Sequence, residues 1–248
     1  MARFLLIHGS CHGAWCWRDT IPALEALGHQ VQAIDLPGHG LDPTPREGVT
    51  LDAYARAICA ALREPTIVLG HSMGGYPITA AAEMDPTHVQ ALVYLCAYRP
   101  VSGMSLGDMR RAGPRQPLRP AIRVDGAVFT FDPAMAGLFY HDCAPDTVAW
   151  ALSHQTPQPI APQETPLMLT DRSAALPQFY IRCVEDRAIP PEYQLTMAEG
   201  LPEGHLSDMD ASHSPFLSMP GALAARLDRI AAALQVRGMA SRTVLLPR

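Results

Sequence analysis

The residues best suited to chemistry form the run Gly70-His71-Ser72-Met73-Gly74, in which a serine lies between two glycines. An apolar segment precedes this run, and residues that favour a helix follow it to about Met84. A Gly-x-Ser-x-Gly motif between a strand and a helix is typical of a nucleophile elbow, a sharp turn that exposes the serine hydroxyl at the top of a sheet. The alternative is an ordinary glycine-rich turn, but the run lacks the lysine of phosphate-binding loops. The pattern therefore predicts that Ser72 is a nucleophile.

A serine hydroxyl is a weak nucleophile, so it needs a base that removes its proton and an acid that orients the base. In chains with this elbow the order is serine, then aspartate or glutamate, then histidine. Of the ten histidines, only His205 and His213 follow far enough behind the elbow. His205 would open a strand, at the wrong end of a parallel sheet, whereas His213 follows one. His213 is therefore the predicted base.

The orienting acid is expected after a strand, because ligands of parallel sheets bind at the carboxyl ends of the strands. The predicted strand Phe179–Val184 leads into Glu185 and Asp186, and the next strand ends just before Asp210. We prefer Asp186, since one further residue lets the loop turn back toward the site. Glu185 and Asp210 stay open as alternatives, and a solvated loop carboxylate is the other interpretation of either residue.

Two backbone N–H groups are expected to bind the oxyanion that forms when the serine attacks a carbonyl group. The elbow provides the N–H of Met73, and the loop after the first strand provides the second donor, for which we predict Ser10. His8 and His12 have a metal-like spacing, but they straddle a strand end instead of lying on one helix, so no metal site is predicted. His8 and His71 are expected to be structural, with their rings bonded to the backbone.

Alternating strands and helices are expected to position these residues. The hydrophobic pattern predicts one helix capped by Thr50 and a last helix that begins near Pro220. The predicted strands are Arg3–Ile7, Val31–Ile34, the elbow strand up to Gly70, Ala91–Tyr98, Phe179–Val184 and His205–Met209. Short buried strands separated by helices indicate the α/β class, with a mostly parallel sheet covered by helices on both faces.

The alternation stops near Pro100, and the chain from there to Pro177 is rich in proline, methionine and arginine. This segment contains a hairpin signal with Asp125-Gly126 at its turn and a helical pattern over Pro145–His154. We interpret it as a lid inserted into the sheet. The predicted division is a core of residues 1–100 and 177–238, a lid of residues 101–176, and a flexible tail of residues 239–248.

The composition of the whole chain is that of one medium globular domain. It has 248 residues, of which 48% are hydrophobic and 17% charged. A net charge of −5 gives no reason to expect nucleic acid or an anionic membrane as a partner. No apolar run approaches the length of a membrane span, and the apolar start is too short for a signal peptide. We therefore expect a cytoplasmic protein.

Three stretches of the chain together carry the motifs of one family: the run from His8 to Trp17, the run from Gly70 to Gly75 and the run from Tyr180 to Pro190. They resemble the plant methylesterase and hydroxynitrile lyase family, which belongs to the α/β-hydrolase superfamily and has bacterial esterase relatives. The resemblance spans most of residues 3–235 and is weakest in the lid.

The resemblance implies an α/β-hydrolase fold, a small-acid ester as substrate, such as a methyl ester of an aromatic or cyclic acid, and a homodimer. It also implies the site residues that the motifs suggest. These are the triad Ser72, Asp186 and His213, and the backbone donors of Ser10 and Met73.

The predicted function is that of a serine carboxylesterase, which forms an acyl-enzyme and needs no metal or organic cofactor. One rival is a hydroxynitrile lyase that uses the same triad, and another is a small-molecule receptor with slow turnover. The lyases of the family have a lysine after the catalytic histidine and a threonine after the first-strand histidine. Here those positions hold Ser214 and Gly9, which favours the esterase.

The substrate pocket is expected to combine the first loop with apolar residues of the lid. Gly9 is expected to leave space for the acyl group beside the nucleophile, although each of the lid residues is equally typical of lid core. The predicted pocket residues are Gly9, His12, Met104, Phe129, Phe139 and Trp150.

Overall fold

The computed structural model describes residues 1–243. The strands within these residues are β1 (Arg3–Ile7), β2 (Gln30–Ile34), β3 (Thr66–His71), β4 (Val89–Leu95), β5 (Ile122–Asp125), β6 (Val128–Phe131), β7 (Gln158–Pro159), β8 (Gln178–Cys183) and β9 (Leu206–Met209). The α-helices are α1 (Thr20–Ala26), α2 (Leu51–Ala61), α3 (Gly75–Met84), α4 (Leu106–Ala112), α5 (Gly137–Tyr140), α6 (Pro145–His154), α7 (Ala161–Glu164), α8 (Asp171–Ala174), α9 (Pro191–Met197), α10 (Pro215–Ser218) and α11 (Pro220–Thr243).

A six-stranded parallel sheet in the order β2-β1-β3-β4-β8-β9 forms the centre of the molecule. Its side chains alternate between two buried clusters: Phe4 and Leu6 of β1 belong to one, and Leu5 and Ile7 to the other. β3 is buried along its whole length. A strand with both faces covered has no need of a polar face, which explains its continuous apolar sequence. The predicted α/β class, with a mostly parallel sheet, is confirmed.

The beginning of α2 shows how local sequence fixes an element. The side chain of Thr50 accepts a hydrogen bond of 3.1 Å from the N–H of Ala53, so the predicted N-cap is confirmed. Such a cap satisfies one of the N–H groups that have no partner within the helix.

The chain between β4 and β8 carries β5, β6, β7 and helices α4 to α8. β5 and β6 form the predicted antiparallel hairpin, and Gly126 adopts a φ of +57° in its turn. β7 adds a third strand, in which Gln158 pairs with Phe129. The sequence does not predict β7, because it is two residues long and lies in a proline cluster.

The last helix is longer than the sequence suggests. α11 extends to Thr243, so it includes residues 239–243 of the segment predicted as a flexible tail. The rest of that segment, residues 244–248, lies outside the described residues. Within residues 1–243, no helix is both long and apolar enough to cross a membrane.

Candidate active site

Ser72 lies at the sharp turn between β3 and α3, with a φ of +55° that residues other than glycine rarely adopt. Close backbone approach makes the flanking glycines necessary. A Cβ on Gly70 would lie 2.4 Å from the carbonyl oxygen of Gly74, and a Cβ on Gly74 would lie 2.9 Å from that of His8. A side chain at either position would therefore collide with backbone atoms. The local geometry is that of a nucleophile elbow.

His213 and Asp186 form a buried pair. Nδ1 of His213 donates a hydrogen bond of 2.6 Å to Oδ2 of Asp186, and both side chains are almost inaccessible to solvent. A bond to a carboxylate fixes the proton on Nδ1 and leaves Nε2 as a proton acceptor. This is the tautomer that a base acting on a hydroxyl group requires.

Three further hydrogen bonds fix the carboxylate of Asp186. Its Oδ1 accepts from the N–H groups of Ala188 at 2.7 Å and Ile189 at 2.9 Å. Its Oδ2 accepts from Nε2 of Gln194 at 2.8 Å, beside the bond from His213. With the bond from His213, four hydrogen bonds therefore hold the carboxylate of Asp186 in one orientation against the imidazole.

The other candidates for the acid and the base lie elsewhere. Glu185 and Asp210 are both exposed, and among the described residues neither is a hydrogen-bond partner of His213. His205 precedes β9, and its Nδ1 donates a bond of 2.6 Å to the carbonyl oxygen of Gln178 at the start of β8. The geometry therefore favours Asp186 and His213.

Two other histidines bind the backbone around the elbow, as the sequence predicts. Nε2 of His71 donates a bond of 2.8 Å to the carbonyl oxygen of His213. Burial lowers the pKa of His71 well below its ordinary value, so its ring is neutral. Nδ1 of His8 donates to the carbonyl oxygen of Gly9 at 2.9 Å, and its Nε2 accepts from the N–H of Leu36 at 3.1 Å.

The loop after β1 brings Ser10 to the cavity that Ser72 also lines. Nδ1 of His12 donates a bond of 2.7 Å to the carbonyl oxygen of Ser10, and its Nε2 accepts one of 2.7 Å from the hydroxyl of Tyr140. Nε2 of Gln163 donates to Oγ of Ser10 at 2.8 Å. Burial lowers the pKa of His12 to about 3, so the neutral ring keeps both bonds near neutral pH.

The predicted oxyanion donors lie in the same place. Ser10 and Met73 both line the cavity that contains Ser72. Within residues 1–236, the backbone N–H of Ser10 donates no hydrogen bond to the protein, so it is free to bind a ligand.

One cavity connects Ser72 and His213 with the lid, and its volume is about 20 Å³. That volume holds roughly one water molecule, which is less than an ester requires. Most of the wall above the nucleophile is apolar. The apolar part of the wall consists of Tyr98, Leu106, Leu118, Phe129, Phe131 and Phe139.

The structure divides the six predicted pocket residues into two groups. His12, Phe129 and Phe139 line the cavity. Phe139 also packs against the base, with its ring 5.8 Å from that of His213.

Gly9, Met104 and Trp150 are outside this lining, which corrects the expectation. Trp150 packs edge-on against Trp15, with the ring centres 5.2 Å apart, and Met104 packs against the buried core. Gly9 faces the ring of His71 instead of open space. Core and cavity walls use the same apolar residues, so composition alone does not separate them.

Two polar residues of the lining, Arg110 and Gln163, were not found from the sequence. The signal for Arg110 is a capping box, in which Ser105 and Asp108 bond each other's backbone N–H groups at the start of α4. A helix beginning there places Leu106 and Arg110 four residues apart on one face. No comparable local signal exists for Gln163, which lies in the short helix α7.

One group of side chains near the base has the composition of a metal site. Ligand atoms of His71, Cys96 and His213 lie within 4.8 Å of one another. However, Nδ1 of His213 is bonded to Asp186, and burial raises the pKa of the Cys96 thiol well above its ordinary value. A protonated thiol is a poor ligand, so these residues fit a metal ion badly.

Comparisons with known proteins identify the family of the chain and its relatives. The model of the alpha/beta hydrolase family matches residues 4–226. Methylesterase 1 of Arabidopsis thaliana is 28% identical over 242 residues, which cover 88% of this chain and 91% of that protein. Methylesterase 4 of the same organism is 30% identical over 260 residues, with coverages of 92% and 96%. The crystal structure of a pyrethroid hydrolase from Sphingobium faniae JZ-2 is 28% identical, with a TM-score of 0.82 and coverages of 94% and 98%.

Proposed function

This chain belongs to the alpha/beta hydrolase family, and we propose that it is a carboxylic-ester hydrolase that acts through Ser72, His213 and Asp186. The observation that carries the proposal is the 2.6 Å bond between His213 and Asp186, at a cavity that also contains the elbow serine. An imidazole that donates through Nδ1 directs Nε2 toward the removal of a proton from a hydroxyl group. The similarity to proteins named methylesterases supports an ester as the substrate.

The first half of the proposed reaction transfers the acyl group to the enzyme. Oγ of Ser72 attacks the carbonyl carbon of the ester while Nε2 of His213 takes its proton. The bond between that carbon and the alcohol oxygen then breaks, and His213 returns the proton to the departing alcohol. The charge of Asp186 stabilises the imidazolium ion between these two transfers.

The second half releases the acid. A water molecule gives a proton to His213 and attacks the acyl carbon. The bond to Oγ then breaks, and the proton of His213 restores the serine hydroxyl. Atoms balance over the cycle, since one ester and one water yield one acid and one alcohol.

Both halves of the reaction pass through an oxyanion, and the N–H groups of Met73 and Ser10 bind it. The free N–H of Ser10 and the bonds that hold its carbonyl and hydroxyl groups support this assignment. Donors fixed before the reaction need no reorganisation when the charge develops.

Turnover of p-nitrophenyl acetate and p-nitrophenyl butyrate by the purified protein tests the proposal. We expect sustained hydrolysis by the wild type and none by Ser72→Ala. A sulfonyl fluoride should label the wild type but not Ser72→Ala. Ser153→Ala, which changes an exposed serine of α6, is the matched control and keeps full activity. A few turnovers followed by arrest would indicate the receptor instead, and full activity in Ser72→Ala would refute the mechanism.

A further inference from the structure

One cationic side chain faces the catalytic cavity. Of the lining residues in the described part of the chain, Arg110 alone has a permanent positive charge. It lies on α4 of the lid, one turn after Leu106, and its side chain is 24% exposed. The cavity walls around it are mostly apolar, and in such pockets a few polar groups determine how the ligand is oriented.

The charge of Arg110 is only loosely balanced by its neighbours. The nearest carboxylate is that of Glu164, whose Oε1 lies 3.8 Å from Nη2 of Arg110, at the limit of an ion pair. Glu164 is engaged more closely by Arg111, through bonds of 3.0 and 3.3 Å. Arg111 also binds the carboxylate of Asp108, at 2.7 Å. The hydrogen bonds of Glu164 therefore go to Arg111, and Glu164 makes only the longer contact with Arg110.

The remaining neighbours supply no negative charge. Tyr98 lines the same cavity, and burial raises the pKa of its hydroxyl, so it is neutral. Glu192 of α9 does not line the cavity, and both of its oxygens bind Arg115, at 2.7 and 2.9 Å. Within residues 1–236, no carboxylate lines the cavity. A partly buried guanidinium without a close partner favours an anionic ligand, because desolvation is otherwise uncompensated.

We propose that Arg110 binds a carboxylate of the substrate, so that the preferred esters carry a free acid group at the end remote from the scissile bond. Half-esters of dicarboxylic acids have this structure, and so do acyl esters of hydroxy acids. The planar guanidinium matches a carboxylate through two parallel N–H bonds, while the apolar wall accepts the methylene chain between the two groups. The inference rests on the proposed ester hydrolysis and defines its substrate class.

A different role for the same residue makes a different prediction. If Arg110 and Glu164 were only a latch that holds the lid closed, loss of either side chain would change the hydrolysis of all esters in the same direction. As a substrate-binding residue, Arg110 acts on charged esters alone. Glu164 then competes with the substrate for it, so the two substitutions have opposite effects.

The test compares esters that differ only in charge, at neutral pH. Monomethyl esters of the dicarboxylic acids from succinic to suberic acid are paired with methyl esters of the monocarboxylic acids of equal length. For the alcohol side, 6-acetoxyhexanoate is paired with hexyl acetate. In the wild type we expect kcat/KM at least about tenfold higher for the best charged ester than for its neutral partner.

The variants assign that preference to one side chain. Arg110→Gln should lower kcat/KM for the charged ester about 10- to 100-fold and change the neutral ester less than about threefold. Glu164→Gln should raise kcat/KM for the charged ester, because the competing carboxylate is removed. Arg119→Gln, which removes an exposed arginine of the lid, is the matched control and should change kcat/KM for neither ester.

Equal kcat/KM values for charged and neutral esters in the wild type would overturn the inference, and so would an equal effect of Arg110→Gln on both. If the inference fails in this way but Ser72 is still required for hydrolysis of the neutral esters, the proposed function remains intact. If no ester is hydrolysed, the proposed function fails, and binding to Ser72→Ala still decides the inference. Calorimetry should then show adipate binding more tightly than hexanoate, and equally weak binding of the two would refute the role of Arg110.

Discussion

The imidazole of His71 occupies the place that a side chain on Gly9 would need. A Cβ at residue 9 would lie 2.7 Å from Nδ1 of His71 and 3.0 Å from Cβ of Ser72. The sequence suggests open space here for an acyl group, but the ring fills it. Because Nε2 of the same ring holds the carbonyl oxygen of His213, Gly9 allows the first loop, the elbow and the base to pack together.

Gly9→Ala should therefore harm both stability and activity. An added methyl group must displace His71 or the elbow, and overpacking of this kind costs about 1–3 kcal/mol of the free energy of unfolding. Urea unfolding and ester kinetics on one preparation measure both effects, and we expect kcat to fall at least about tenfold. Gly221→Ala adds the same group in open space on α11 and should be neutral or stabilising. Wild-type stability and rate in Gly9→Ala would contradict this account.

Asp186→Asn should reduce kcat by about 10⁴-fold and lower the free energy of unfolding by about 1–3 kcal/mol, because the new NH₂ group also faces Nε2 of Gln194. The amide oxygen keeps the bonds from Ala188 and Ile189, so the NH₂ group faces Nδ1 of His213. His213 must then accept at Nδ1 and carry its proton on Nε2, where it no longer removes the proton of Ser72. Ester hydrolysis measures the loss, and circular dichroism checks the fold.

Asp210→Asn is the control for the acid, because Asp210 follows β9 but is exposed. It should retain wild-type kcat. The reverse pattern, with Asp186→Asn active and Asp210→Asn inactive, would reassign the acid.

Much of the fold follows from local sequence signals. β3 is continuous apolar sequence ending in Gly-x-Ser-x-Gly, and α6 begins and ends at Pro145 and His154 as predicted. Thr50 marks the start of α2 because a threonine cap acts within one turn of the chain. These features depend on residues near one another in sequence, which a single chain displays.

The cavity depends on contacts between distant residues, so the sequence defines it poorly. Gln163 bonds Ser10 across 153 positions, and Tyr140 bonds His12 across 128 positions. Trp150 has the size and hydrophobicity expected of a pocket residue, but packing around Trp15 directs it away from the cavity. The cytoplasmic location and the homodimer stay predictions.

Phe139 and Trp150 provide a matched pair for substrate selection. Phe139 lines the cavity beside His213, whereas Trp150 does not. Phe139→Leu should enlarge the site and raise the rate ratio of p-nitrophenyl butyrate to p-nitrophenyl acetate several-fold. Trp150→Leu should lower the melting temperature and leave that ratio unchanged. If both variants change the ratio equally, selection does not take place in this cavity.

The protein should lose stability as the pH falls from neutral toward about 4. Burial lowers the pKa of His8 from 6.5 to about 4 and that of His12 to about 3, so both rings are neutral in the folded protein. The unfolded chain takes up their protons from pH 6.5 downward, and each uptake favours unfolding. Each ring then contributes up to about 1.4 kcal/mol per pH unit to the fall in the free energy of unfolding.

Urea unfolding at pH 7.5, 6 and 5 measures this dependence. His12→Gln removes one titrating ring. Below pH 6 the free energy of unfolding should therefore fall less steeply with pH, by the contribution of one proton. A curve equally steep in the wild type and in His12→Gln would show that His12 is protonated in the folded protein.

Cyanohydrin cleavage should be absent. Departing cyanide needs a fixed positive charge beside it, which lyases of the resembled family obtain from a lysine directly after the catalytic histidine. Here that neighbour is Ser214, which is buried and uncharged, and the chain contains no lysine. The cation that lines the cavity, Arg110, lies on α4 and not directly after the base. The ring of His71 also leaves no room for the threonine that those lyases carry at the position of Gly9. With mandelonitrile at mildly acid pH, cyanide release should therefore equal the spontaneous rate in the wild type and in Ser72→Ala alike. Release that depends on Ser72, together with negligible hydrolysis of p-nitrophenyl esters, would replace the esterase with a lyase.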